Sequence, residues 1–232
     1  MLSIILPTYN ESENIIPIIK EIKQNLDNIE HEIIVVDDNS PDLTWDVVRK
    51  SNIKGVKCLR RKKKVSLSSA VILGFSRAKY EILVVMDADG QHNPDIIKRM
   101  VPHAKNHDIV VGSRFIKGGG VKGWSKKRII VSKAAASLAM AVTKSKLKDP
   151  MSGFFMIKKE TFDEIKDDLT GKGYKILLET IMCIENKKKK ATIKEVPLVF
   201  RLRTKGESKL GLEVIKEYLQ MIVKHFIKKF KK

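Results

Sequence analysis

The stretch Val84–Asp95, VVMDADGQHNPD, ends an apolar run in two aspartates one residue apart, Asp87 and Asp89, followed by Gln91, a histidine, a proline and a third acid. In a strand or its extended continuation, residues two apart point to the same side, so both carboxylates share one face. Two such charges about 6 Å apart, at an effective dielectric near 20, repel by roughly 3 kcal/mol, an arrangement most easily kept when a cation sits between them. A divalent oxygen-preferring ion, Mg2+ or Mn2+, fits; held by only one or two carboxylates, it takes its other ligands from water and substrate phosphates. An EF-hand does not fit, because the sixth position counted from Asp87 is His92 and the twelfth is Lys98. A helix N-cap cluster before Pro94 explains Asn93 and Asp95 but not the pair leaving the strand. The expected ligand is therefore a nucleoside diphosphate met at the carboxyl end of a buried strand.

Outward from that stretch the chain alternates short apolar runs with helical periodicity. SIIL is followed by Ile15, Ile18, Ile19, Ile22 and Leu26 at 3-4 spacing, then EIIVV, a helix start at Ser40-Pro41, and VKCL. SLSSAVILGFSRAK reads as a helix, EILVVM as a strand, a helix follows Pro94, and DIVVG is a fifth strand. Strands joined by helical crossovers form a mostly parallel sheet with both faces covered, and such sheets bind ligands at their carboxyl edge. Residues 113–127, SRFIKGGGVKGWSKK, read as a long mobile loop that can act as a lid. Ile129–Val142 reads as an Ala-rich helix whose only charge is Lys133, suited to a buried or interfacial position. SGFFMI and ATIKEVPLVFRLR read as further strands. The chain closes in a basic amphipathic helix with Leu212, Ile215, Leu219, Ile222 and Phe226 on one stripe and Lys216, Lys224, Lys228 and Lys229 off it.

With 232 residues and 43% hydrophobic content, the chain can bury one full core, and disorder is excluded as a default. Its net charge of +19 calls for an anionic partner: nucleic acid, phosphorylated ligand or membrane surface. Cys58 and Cys183 stand far apart with no C-x-x-C or Cys/His cluster, so neither a disulfide framework nor a zinc site is suggested. No signal peptide and no membrane-spanning apolar run is expected. GGGVKG, Gly118–Gly123, formally matches G-x-G-x-x-G but follows the fifth strand, whereas a dinucleotide fold places its glycines after the first; there this chain has PTYNES. The Walker pattern is absent. Asp37 and Asp38 end the second strand, where a carboxylate can meet a ribose or a base edge, or serve the turn DDNSPD. Glu11 doubles as first-turn helix charge. Arg114, Arg128, Arg203 and Lys209 are candidate phosphate ligands by position beside the strand ends.

In order, PTYNESENI, IIVVDDNSPDLT, LSSAVILGF, VVMDADGQHNPD, VGSRFIKGGGVKGW, KRIIVSK, DPMSGFF, GYKILLE and RLRTKGESKLG resemble the dolichyl-phosphate mannose synthases, inverting family 2 glycosyltransferases of GT-A (Rossmann-like) fold. The match runs from Pro7 to Gly211, which implies a catalytic domain over residues 1–211; the amphipathic helix over 212–232 fits either a membrane interface or ordinary packing on the domain. The resemblance implies that Pro7, Tyr9, Glu11, Val36 and Asp38 hold the nucleoside of GDP-mannose. Asp87, Ala88, Asp89 and Gln91 would surround metal and sugar diphosphate, with Asp87, Asp89 and Gln91 as metal ligands. Arg114, Lys175, Arg203 and Lys209 would contact donor phosphates or sugar, and Arg128 and Ser132 the acceptor phosphate. Asp89, Gln91 and Arg114 are the residues expected to carry catalysis. The acceptor would be dolichyl or another polyprenyl phosphate. The protein would work peripherally on the cytoplasmic face of a membrane, with a membrane-anchoring subunit as an implied partner and no role for nucleic acid. Two positions depart from the relatives: Gly90 stands where a larger apolar residue is usual, and Ser66 replaces a glycine. A UDP-glucose or other UDP-sugar donor is the alternative within the enzyme class. A basic nucleic-acid-binding protein is the alternative from another class, opposed by the few aromatics and the lack of a nucleic-acid motif.

Overall fold

The computed structural model describes residues 1–62, 66–143, 145–202 and 217–223. The sheet grows from β1 (Leu2–Thr8), whose residues are almost all buried. It pairs in parallel with β2 (His31–Asp37) on one side and with β4 (Ile82–Val85) on the other. With β3 (Val56–Arg60), β5 (Ile109–Ser113), β7 (Phe155–Lys158) and β8 (Ile193–Pro197), the order is β3-β2-β1-β4-β7-β5-β8. All pairings are parallel except those of β7, which runs antiparallel between β4 and β5. The expected mostly parallel α/β sheet is what forms.

Strand alternation divides the core. Ile4, Leu6, Ile33, Val35, Val84 and Met86 face α1 (Ile15–Asn25), α2 (Thr44–Lys50) and α4 (Ile96–Ala104). Ile5, Ile34, Val36, Leu83 and Val85 face α3 (Leu67–Ser76), α6 (Lys159–Ile165) and α7 (Ile176–Asn186). Gly74 lets α3 lie close across β1, because a Cβ there would come within 2.6 Å of Ile5 Cγ2. A third cluster joins α5 (Lys126–Val142) to α7 and to the helical residues 217–223 through Ala139, Val142, Leu178, Met182, Tyr218 and Ile222.

The chain builds β1, β2 and β3 in one direction and then returns to place β4 on the other side of β1, so the strand order reverses between β1 and β4. Pairing between these two strands stops at Ile5↔Val85, while β1 continues to Thr8. Pro7 follows two residues after Ile5, whose carbonyl accepts from the Met86 amide. A proline in a central strand is tolerated here because its missing N–H turns toward the side from which β4 has already parted. The parting opens the carboxyl edge at the point where open α/β sheets bind their ligands.

Several local expectations are corrected. The second helix starts at Thr44, not at Ser40-Pro41, because Leu43 takes a left-handed conformation at φ 62° and Ser40–Asp42 form the turn before it. Residues 113–127 are not simply a loop: β6 (Gly120–Val121) pairs with β9 (Val199–Phe200) in a separate two-stranded sheet, and α5 begins at Lys126, capped by Ser125. ATIKEVPLVFRLR is two strands, β8 and β9, broken at Leu198 and belonging to different sheets. α5 is not confined to 129–142, and of the two positions expected for it the buried one is not taken, since Ile130, Val131 and Leu138 are exposed. Of the C-terminal stripe, Ile222 is buried and Leu219 exposed; Leu212, Ile215, Phe226 and the four lysines lie outside the described residues.

Candidate active site

At the opening between β1 and β4 lies a cavity of about 170 Å³. Its walls are Pro7 near the end of β1, Tyr9 and Glu11 after it, Asp38 after β2, and Ser66, Leu67 and Ala70 at the start of α3. Asp87, Ala88 and Asp89 after β4, and Tyr174 before α7, close it. Seven residues anticipated around the nucleoside, metal and diphosphate therefore line one space. Val36 does not; it is fully buried beneath α3, against which its side chain packs at Gly74.

The acid pair keeps strand alternation after β4 ends. Met86 and Ala88 remain in the core with Val84, which turns Asp87 and Asp89 together toward the cavity. Asp89 is buried and accepts from the Gln91 amide at 3.0 Å, with Gly90 at φ 78° making the turn between them. His92 closes the turn: its Nδ1 accepts from the Asp87 amide at 3.0 Å, and its ring packs against Phe154 and Phe200. Burial pushes the His92 pKa down to about 4, against the pull of Asp89 and with the help of Arg114, while Asp149 opposes it. The ring is thus a neutral acceptor at pH 7. Gln91 is tied twice to Arg201: its side-chain amide donates to the Arg201 carbonyl at 3.2 Å and its own carbonyl accepts from the Arg201 amide at 2.8 Å. This brings the exit of β9 alongside the acid pair. Arg203 and Lys209, two and eight residues further on, lie outside the described residues.

The acid pair fits a divalent ion. A Cβ on Gly153 would stand 3.1 Å from Asp87 Oδ2, so the glycine leaves the carboxylate room that any other residue would fill. Among the described residues no group of three or more His, Cys, Asp or Glu is assembled. An ion here would complete its coordination with water and ligand oxygens, as Mg2+ and Mn2+ do.

Arg114 follows β5 and is held by a residue the sequence did not single out. Its Nε and Nη2 donate to the two oxygens of Asp149, both at 2.7 Å, and its backbone amide donates to Oδ2 at 2.9 Å. Asp149 is wholly buried. Lys175 lies in the same electrostatic neighbourhood: burial lowers its pKa and Arg114 adds to that, while Asp87 and Asp149 raise it. Trp124 connects this side to α5. The guanidinium carbon of Arg114 is 5.5 Å from the centre of its ring and that of Arg128 is 4.1 Å away, so the anticipated donor-side and acceptor-side arginines face one indole. Ser132 is one turn further along α5 than Arg128. Neither Arg128 nor Ser132 lines the cavity.

Asp37 serves the fold. Fully buried, it accepts from Thr8 Oγ1, the Ser40 amide and Ser40 Oγ, which is the turn chemistry its neighbours suggested. Gly153, Asp149, Trp124 and Tyr174 were missed as individuals, although each lies in a quoted motif.

Residues 3–166 match the family described as Glycosyl transferase family 2. Dolichol-phosphate mannosyltransferase of Pyrococcus furiosus is 43% identical over 224 residues, 95% of this chain and 62% of that protein, so the chain spans under two thirds of that relative. The Saccharomyces cerevisiae dolichol-phosphate mannosyltransferase is 35% identical across 98% of this chain and 88% of its own length. Among solved structures, glucosyl-3-phosphoglycerate synthase from Mycobacterium tuberculosis, in complex with Mn2+, UDP and glucosyl-3-phosphoglycerate, aligns with a TM-score of 0.72. That alignment covers 98% of this chain and 78% of the other at 18% identity, a likeness of fold alone. With the sheet order, the acid pair at its switch point and the family match in agreement, the chain belongs to glycosyl transferase family 2 and has a fold of GT-A type.

Proposed function

We propose that the protein transfers mannose from GDP-mannose to dolichyl or another polyprenyl phosphate, with inversion at the anomeric carbon. The observation that carries this reading is the cavity at the β1/β4 switch, whose walls include Glu11, Asp38, Asp87 and Asp89. Its support in sequence is the identity to dolichol-phosphate mannosyltransferases across nearly the whole chain.

Pro7, Tyr9, Glu11 and Asp38 take the nucleoside, and Asp87 and Asp89, with Gln91 beside them, hold Mg2+ or Mn2+. When bound, that ion neutralises charge developing on the departing diphosphate. Lys175 and Arg114, with Arg203 and Lys209, bring positive charge to the same phosphates. Lys175 is the adaptable member of this group, because an arriving diphosphate favours the ammonium form that burial disfavours. The acceptor, a phosphate monoester with a second pKa near 6, is largely dianionic at pH 7 and needs no general base. Arg128 and Ser132 orient it, so the chain's work is alignment and charge stabilisation.

The lipid end of the acceptor gives a role to α5. Ile130, Val131 and Leu138, with Leu219 and Val223 of residues 217–223, expose apolar surface, and Lys126, Lys127 and Lys133 are exposed on the same helix. Such a face suits a membrane interface with anionic lipid, here its cytoplasmic side. No helix among the described residues is long and apolar enough to cross a membrane. A membrane-anchoring subunit would supplement this contact.

The test is transfer of labelled sugar from GDP-mannose and, separately, UDP-glucose to a polyprenyl phosphate, with Mg2+ or Mn2+. Metal-dependent transfer from GDP-mannose alone, reduced by about a hundredfold or more in Asp89→Ala, is expected. Transfer from UDP-glucose alone overturns the donor, and metal-independent transfer overturns the role of the acid pair. With the acceptor in vesicles, a combined Ile130→Ser and Leu138→Ser variant should slow transfer while leaving a short, water-soluble acceptor unaffected. Equal rates with both acceptors refute the membrane role of α5.

A further inference from the structure

We propose that Arg61, which lines no part of the cavity, is the positioning residue that sets nucleobase affinity by holding Asp38 and the start of α3 in one arrangement. The inference rests on the reading of Asp38 as a nucleoside ligand and deepens it.

Arg61 immediately follows the edge strand β3, in the basic run RRKKK, and looks like one more solvated cation. Its surroundings are otherwise. The side chains of Arg61 and Asp38 are only 11% and 8% exposed. Both Nε and Nη2 contact Asp38, and both contacts fall on Oδ1. Nη1 donates to Ser69 Oγ at 2.6 Å, Nη2 also donates to the Ser66 carbonyl at 2.9 Å, and the backbone amide donates to the Asp37 carbonyl at 2.7 Å. One guanidinium thus joins the end of β2 to the first turn of α3. From there the connection continues: Ser66 Oγ donates to the Gly171 carbonyl at 2.5 Å, and the Ser68 amide donates to the Gly173 carbonyl at 3.1 Å. Gly171 and Gly173 take φ of 63° and 72°, which lets this segment fold back and place Tyr174 in the cavity wall. Asp38, Ser66 and Tyr174 come from three distant parts of the chain, and Arg61 is the group their positions share.

The physical consequence concerns the base more than the phosphates. A carboxylate at the end of β2 recognises a base through ring N–H and amino donors, and does so well only when its orientation is fixed in advance. Gripping Asp38 through Oδ1 fixes the plane of the carboxylate. Removing the guanidinium takes away the two contacts on Oδ1 that set the plane of this nearly buried carboxylate, and its orientation toward the base is no longer fixed in advance. The diphosphate end is built on other residues, Asp87, Asp89 and the cations around Arg114.

The experiment compares GDP, UDP and inorganic pyrophosphate binding, with Mg2+ present, to the wild-type protein, Arg61→Gln and Arg61→Lys by calorimetry, with donor KM and kcat measured alongside. In Arg61→Gln, nucleotide affinity should fall about tenfold while pyrophosphate affinity stays within twofold. Donor KM should rise by the same factor with kcat at saturation little changed. Arg61→Lys should recover part of the loss, since it keeps the charge on Asp38 but not the bonds to Ser66 and Ser69. An equal loss for nucleotide and pyrophosphate, tighter nucleotide binding, or a fall in kcat at unchanged KM overturns the proposal and leaves Arg61 a structural or catalytic role. Wild-type binding of UDP but not GDP overturns the donor assignment only, and the ratio to pyrophosphate is then read with UDP. If the wild type binds neither nucleotide, the nucleoside reading of the cavity fails and this inference with it.

Discussion

Replacing Asp149 by asparagine should destabilise the protein by about 3–5 kcal/mol, and the reasoning depends on burial more than on the number of contacts. Asp149 has no exposed surface, Arg114 is 10% exposed, and three hydrogen bonds of 2.7, 2.7 and 2.9 Å join them. An asparagine keeps the shape but removes the charge, and its amide nitrogen can only donate where Arg114 also donates. The guanidinium then remains largely desolvated without a counter-charge, beside Lys175, which already feels Arg114 as a like charge. Against a total stability of about 5–15 kcal/mol this is a large fraction. In a chain of this size it corresponds to a fall in Tm of roughly 6–20 °C. Urea and thermal unfolding of wild type, Asp149→Leu, Arg114→Leu and the Arg114→Leu/Asp149→Leu pair close the cycle, with Asp149→Asn measured beside them. The double variant should cost less than Asp149→Asn alone, because removing both partners leaves no unpaired buried charge. A loss below about 1 kcal/mol for Asp149→Asn, or a double variant worse than the sum of its parts, refutes the argument that burial controls this pair.

Two further outcomes follow from the acid turn. Gly153→Ala places a Cβ 3.1 Å from Asp87 Oδ2, so the carboxylate must shift by a few tenths of an ångström; Mn2+ affinity should fall about tenfold with Tm nearly unchanged, and an unaltered affinity would contradict the assignment of that space to the metal ligand. His92 has a folded pKa near 4 against 6.5 in the unfolded chain, so the unfolded state binds more protons between these values; its contribution is complete above pH 6.5 and is lost as pH falls toward 4. That amounts to about 3 kcal/mol in the metal-free protein. His92→Asn, which offers a non-titrating acceptor to the Asp87 amide, should flatten this part of the stability profile, whereas an unchanged slope would place its origin elsewhere.

The pattern of what the sequence disclosed has a physical basis. Long apolar runs such as EIIVV and EILVVM can only be satisfied inside a covered sheet, so β1, β2, β4 and β5 were legible, as was the helix with isoleucines at 3-4 spacing. Two-residue strands carry no periodicity, which is why β6 and β9 were hidden inside a glycine-rich stretch and an apparently continuous strand. Leu43 in a left-handed conformation is an unusual choice for a leucine, and no local rule moves the start of α2 past Pro41 to Thr44. The exposure of α5 depends on which neighbours reach it, a tertiary fact that its Ala-rich composition leaves open.

The same distinction separates the site residues that could be read from those that could not. Asp87 and Asp89 were visible because two carboxylates at the end of an apolar strand violate the surrounding pattern, and a violation kept at an electrostatic cost points to a ligand. Asp149, Gly153, His92 and Arg61 violate nothing locally. Asp149 acts on a residue 35 positions away, and Gly153 acts by the volume it leaves empty beside Asp87. His92 acts by accepting one backbone hydrogen bond, and Arg61 acts on Asp38 from within a run of cations. Groups that touch a ligand differ chemically from their surroundings, whereas groups that hold them in place are ordinary residues in particular positions. Variation of activity within such a fold is therefore expected to arise first among the holding residues, where a change such as Arg61→Lys alters geometry by fractions of an ångström and leaves the metal pair, and with it the reaction class, intact.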